Sequence, residues 1–116
     1  MIGAGNRKRS IGLLGGSFNP AHDGHRMISL IALKRLGLDE VWWLVSPQNP
    51  LKPVDGMAPF ADRLANAQTV ANHRSIKVSD IELRLGTHYT RDMLKRLMAR
   101  RRQHDFVWLM GADNLI

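Results

Sequence analysis

The sequence predicts an α/β fold, a parallel sheet flanked by helices, and three observations carry that expectation. Residues 41–45 (VWWLV) and 106–110 (FVWLM) are unbroken apolar runs, which suit strands covered on both faces better than strands with one wet side. Segments with apolar residues at helical spacing separate the strand-like runs. The order strand, helix, strand, helix, strand, helix, strand then requires parallel strands joined by right-handed crossovers. A length of 116 residues with 44% hydrophobic side chains suits one domain, residues 1–116, burying roughly two-thirds of its unfolded surface.

The elements follow in order. Residues 10–16 (SIGLLGG) form an apolar run closed by two glycines, a strand entering a loop. Between residues 25 and 36, Met27, Ile28, Ile31, Ala32 and Leu36 recur at helical spacing, with Arg26, Lys34 and Arg35 opposite and Gly37 at the C-terminal cap. In the next strand Trp42 and Trp43 face opposite sides, and core packing is expected of both, as of Trp108. Prolines at 47, 50, 53 and 59 make residues 46–59 an irregular stretch of a length that suits function. Pro59 suits the first turn of a helix with Leu64, Ala67 and Ala71 inside. Ile76 and Val78 alternate with polar neighbours in a brief strand. After Gly86, Thr90 can cap a helix carrying Met93, Leu94, Leu97 and Met98, and residues 106–110 return as the last strand.

Composition narrows the chemistry. The absence of cysteine excludes disulfides, thiolate metal sites and cysteine nucleophiles, and fits a cytoplasmic placement. No stretch reaches the roughly 18 apolar residues of a membrane span, so no membrane partner is expected. Lys+Arg 17 against Asp+Glu 10 gives +7, a field that small phosphorylated substrates satisfy as well as nucleic acid does. Lys95, Arg96 and the arginines at 100–102 lie on a basic amphipathic helix, read as a solvated face ahead of a nucleic-acid surface.

In a parallel sheet, ligands bind beyond the carboxyl ends of the strands. Four polar clusters fall there: His22 and His25, Lys52, residues 87–90, and Asp113. The first belongs to GGSFNPAHDGH, residues 15–25, at a strand-to-helix junction. Glycines there let a phosphate approach the backbone, and the helix N-terminus supplies aligned N–H donors and partial positive charge. Two imidazoles on the first turn can donate to phosphate oxygens as negative charge shifts toward a leaving group. Taken alone, the spaced pair also reads as a metal site or as ordinary surface histidines. No third ligand accompanies it, no metal is assigned, and the glycine-rich setting favours an anion.

GGSFNPAHDGH resembles the GGSFDPxHxGH signature of bacterial nicotinate-nucleotide adenylyltransferases, within the HxGH nucleotidyltransferase superfamily. Residues 87–94 (THYTRDML) resemble that family's SYTxDTL segment, and residues 111–114 match its GADN. The resemblance implies a Rossmann-like doubly wound sheet and AMP transfer from ATP to nicotinate mononucleotide, giving deamido-NAD and pyrophosphate with Mg2+. It implies His22, His25 and Lys52 as catalytic residues, and Gly15, Gly16, Ser17, Phe18, His22, His25, Gly111 and Asp113 as ATP-binding. Lys52, Thr87, Tyr89 and Thr90 are implied to hold the acceptor.

Two departures stand out. Asn19 replaces the aspartate common in the family and is given no catalytic role. The family pattern also continues beyond GADN, so a C-terminally truncated fold is expected, with bare surfaces that favour homo-oligomers. The alternatives are an adenylyltransferase for nicotinamide mononucleotide or pantetheine phosphate, an inactive fragment, and a basic nucleic-acid-binding domain.

Overall fold

The computed structural model describes residues 9–47, 56–81 and 104–111. Its elements are β1 (Arg9–Gly16), α1 (Asp23–Arg35), β2 (Glu40–Val45), α2 (Phe60–Ala71), β3 (Ile76–Ser79) and β4 (His104–Gly111). All strand pairings are parallel, in the order β3-β2-β1-β4. The α/β parallel sheet expected from the unbroken apolar runs is therefore present. β2 and β3 lie to one side of β1 and β4 to the other, so the chain changes direction across β1, where open α/β sheets leave a crevice. The helix expected after Thr90 lies outside the described residues.

Alternation along the strands divides the core in two. Leu14, Val41, Trp43 and Val45 share a cluster with Phe18, Ala32, Ala67 and Ala71, so α1 and α2 cover the same face. Ile11, Leu13 and Leu44 form the opposite cluster with Ile81, joined by Trp42 and Phe106. Trp43 is fully buried, whereas Trp42 is half-buried and donates its indole N–H to Glu40 at 2.9 Å. Trp108 departs from expectation: it is 37% exposed and lies over Gly15, where a Cβ would meet its ring at 2.7 Å.

The inner face of α1 is also different from the one its apolar residues suggest. His25, Ser29 and Ala32 are buried, whereas Met27 is 62%, Ile31 48% and Leu36 56% exposed. The physical reason is Trp43. Its indole N–H donates to the Ser29 hydroxyl at 2.7 Å, and that hydroxyl donates to the His25 carbonyl at 2.8 Å. Small side chains let the helix approach the indole, and both polar groups are satisfied without water. Gly37, at φ +63, ends α1 as expected of a left-handed C-terminal position. Pro59 is the N-cap of α2 and not its first turn, while Ala67 and Ala71 face inward as expected. Among the described residues no helix is long and apolar enough to cross a membrane.

Candidate functional site

At the carboxyl end of β1 the chain leaves the sheet through residues 17–22 and enters α1. Phe18 anchors that loop. Its ring is buried, stacked on Trp43 at 5.2 Å between centroids and tilted against His25 at 4.8 Å. Its φ of +51 is rare for a residue with a large side chain, and the packed ring holds it there.

His22 is the N-cap of α1, and its Nδ1 accepts the Gly24 N–H at 3.1 Å. The His22 backbone N–H in turn donates to Nδ1 of His25 at 3.0 Å. This is a capping box in which two imidazoles replace the usual hydroxyl and carboxylate. A ring nitrogen that accepts a hydrogen bond carries no proton, so an imidazole held this way, when neutral, has its proton on Nε2. The rings lie 3.9 Å apart between centroids, His22 exposed and His25 buried against Phe18 and Trp43. The helix therefore starts with two Nε2–H donors locked into one tautomer by its own backbone, beside the positive end of its dipole. Such an arrangement suits the oxygens of a phosphate chain.

Beneath the loop lies a group that the sequence reading missed. Arg63 of α2 is only 2% exposed. Its Nε donates to the Ala58 carbonyl at 2.9 Å, and Nη1 to the carbonyls of Ser17 and Ser46, each at 2.8 Å. Its Nη2 is buried with no partner among the described residues, and the Phe60 ring lies 5.4 Å away. Burial pushes the Arg63 pKa below its ordinary value. The available signal was a charge in register with Ala67 and Ala71 on the inward face of a helix. Asn19 makes a second tie: Oδ1 accepts the Ala58 N–H at 3.0 Å and Nδ2 donates to the Gly56 carbonyl at 2.9 Å. The Ser46 N–H closes on the Gly16 carbonyl at 2.8 Å.

Of the residues singled out in the sequence, the structure gathers Gly15, Gly16, Ser17, Phe18, His22 and His25 at this end of the sheet, with Gly111 paired to Gly15. Lys52, Thr87, Tyr89, Thr90 and Asp113 lie outside the described residues. Among the described residues no group of three or more His, Cys, Asp or Glu side chains is placed to hold a metal ion.

Comparison with known proteins agrees with this architecture. The sequence pattern of the cytidylyltransferase-like family matches residues 13–116. This chain belongs to that family. Two curated relatives, each named "Probable nicotinate-nucleotide adenylyltransferase", come from Parvibaculum lavamentivorans and Rhizobium meliloti. The first is 63% identical over 106 residues, covering 91% of this chain and 53% of the relative. The second is 50% identical over 106 residues, covering 91% and 56%. This cytidylyltransferase-like chain thus spans about half the length of the curated relatives it matches. Among solved structures, Plasmodium falciparum nicotinic acid mononucleotide adenylyltransferase complexed with NaAD superposes with a TM-score of 0.68 at 23% identity. That match covers 90% of this chain and 53% of the other, and it shows the shared fold.

Proposed function

We propose that this chain forms the phosphate-handling part of an adenylyltransferase that joins ATP to nicotinate mononucleotide. The observation that carries the reading is the imidazole pair at the start of α1, each ring accepting a backbone N–H at Nδ1. An oxygen of the mononucleotide phosphate attacks the α-phosphorus of ATP. The bond from that phosphorus to the bridging oxygen breaks, and pyrophosphate leaves as the dinucleotide forms. The attacking phosphate is already ionised, so no general base is required, and positioning with charge neutralisation supplies the catalysis.

His22 and His25 donate to oxygens of the α- and β-phosphates, where charge grows as the leaving group departs. The main chain of Gly15, Gly16, Ser17 and Phe18 lines the phosphate path, with Gly111 and Asp113 on the ATP side. Lys52 meets the developing negative charge, and Thr87, Tyr89 and Thr90 hold the nicotinate end of the acceptor. Magnesium would accompany ATP and neutralise charge on its phosphates; among the described residues no group of three or more His, Cys, Asp or Glu side chains is placed to hold it. The relatives' names and the NaAD complex of the Plasmodium protein support the nicotinate acceptor over its siblings. A cytoplasmic placement fits a chain without cysteine.

The test is product mass after incubation with ATP, magnesium and one acceptor at a time: nicotinate mononucleotide, nicotinamide mononucleotide or pantetheine phosphate. Deamido-NAD from the first alone is the expected product. A dinucleotide formed preferentially from another acceptor would reassign the substrate.

A further inference from the structure

Arg63 and Asn19 form a closed circuit under the phosphate loop. Arg63 holds the Ser17 carbonyl from inside, the chain runs through Phe18 to Asn19, and Asn19 grips Ala58 and Gly56. Arg63 then takes the Ala58 carbonyl and completes the ring. A trans peptide places its C=O and N–H on opposite sides of one plane. Drawing the Ser17 carbonyl toward buried Arg63 therefore turns the Phe18 N–H of the same plane away from it. The bond from Ser46 N–H to the Gly16 carbonyl fixes the preceding plane in the same way.

We infer that Arg63 and Asn19 are positioning residues that hold the Phe18 N–H toward the phosphate path, a role that rests on the proposed ATP-phosphate site. Neither side chain touches the substrate. Arg63 suits the task because a planar fork grips three carbonyls at fixed angles, which an ammonium cannot. Asn19 suits it because its amide accepts from Ala58 through Oδ1 and donates to Gly56 through Nδ2. The aspartate of the family pattern keeps the first bond and loses the second. A nest of main-chain N–H groups binds anions only when consecutive planes are fixed, and the circuit fixes them.

The experiment titrates inorganic pyrophosphate, and separately ATP with magnesium, into the chain and its Arg63→Lys, Asn19→Ala and Asn19→Asp variants. Affinity is read by calorimetry, the Phe18 amide by 15N-resolved NMR, and the His22 and His25 rings in the same samples. In the unaltered chain the Phe18 amide and both rings should shift together. Arg63→Lys should weaken binding about tenfold, one well-placed hydrogen bond to an anion. It should also flatten the Phe18 response while the ring responses persist. Asn19 is exposed, so Asn19→Ala keeps the fold and should reproduce the effect if Arg63→Lys does not fold. Asn19→Asp should fall between. Wild-type affinity and Phe18 response in Arg63→Lys and Asn19→Ala would overturn the inference. Ring shifts without a Phe18 shift in the unaltered chain would overturn it and leave the histidine reading standing. Silence at rings and amide alike would remove the phosphate site, and the inference with it.

Discussion

Replacing His22 with asparagine and with alanine separates its two roles. Its imidazole caps α1 through Nδ1, and its proposed chemistry uses Nε2–H. Alanine removes both. The lost cap costs about 1 kcal/mol, the ordinary range for N-cap deletion, and the exposed ring adds little packing. For a domain of this size that lowers the melting temperature by about 4 °C. Asparagine is among the best N-cap residues, so His22→Asn should hold stability within about 0.5 kcal/mol of the unaltered chain. It supplies no donor where Nε2–H stood, and loss of one hydrogen bond to a charged phosphate costs about 1.5–3 kcal/mol, roughly tenfold or more in affinity. Thermal denaturation by circular dichroism and ATP calorimetry on the same samples measure both quantities. The expected pattern is His22→Asn stable but weak in binding, His22→Ala weak in both. If His22→Asn bound ATP as tightly as the unaltered chain, the imidazole would be a cap and nothing more.

Other substitutions probe the frame around the site. Gly12→Ala places a Cβ 2.8 Å from Leu38 and 3.2 Å from Leu109 inside the core, and should cost about 1–3 kcal/mol by urea denaturation. Gly15→Ala meets only the ring of half-exposed Trp108, which can swing aside, so it should cost less than Gly12→Ala in the same assay. Trp43→Phe takes the indole donor from the buried Ser29 hydroxyl and should destabilise by about 1–3 kcal/mol; little change would mean that the indole bond does not set the seat of α1. Arg63→Met removes three hydrogen bonds to main-chain carbonyls and relieves a buried charge, for a net loss of about 2–4 kcal/mol. Burial lowers the Arg63 pKa, so the folded state binds that proton more weakly, and stability rises with pH only just below the unfolded value. The stability difference between the unaltered chain and Arg63→Met should therefore be flat from about pH 6 to 9, and a slope there would contradict an arginine charged in both states.

Much of this fold is legible in the sequence because unbroken apolar runs advertise parallel strands, β4 included although its Val107 and Trp108 are exposed. VWWLV and FVWLM have no polar alternation to confuse them, and GGSFNPAHDGH marks where a strand hands over to a helix. The inward face of α1 was hidden because it is polar and small. His25, Ser29 and Ala32 lie inside since Trp43 offers a donor and demands space, a fact about the neighbouring strand that no periodicity within the helix encodes. The histidine pair was legible as a motif but not as architecture. That Nδ1 of each ring serves the start of the helix emerges only from backbone geometry. Arg63 was missed, and Asn19 was named without a role, because their partners are main-chain groups 5 to 46 residues away, which leave no side-chain signature.

The central claim is that the two imidazoles at the start of α1 receive the phosphates of ATP. It is tested most directly by following the ring resonances of His22 and His25 as ATP with magnesium is added to the chain. Saturable shifts are expected at both rings and at the amides of residues 15–19 and 21–25, with the His25 and amide shifts smaller at matching concentrations in His22→Asn. ATP binding that saturates while both rings stay unmoved would contradict it.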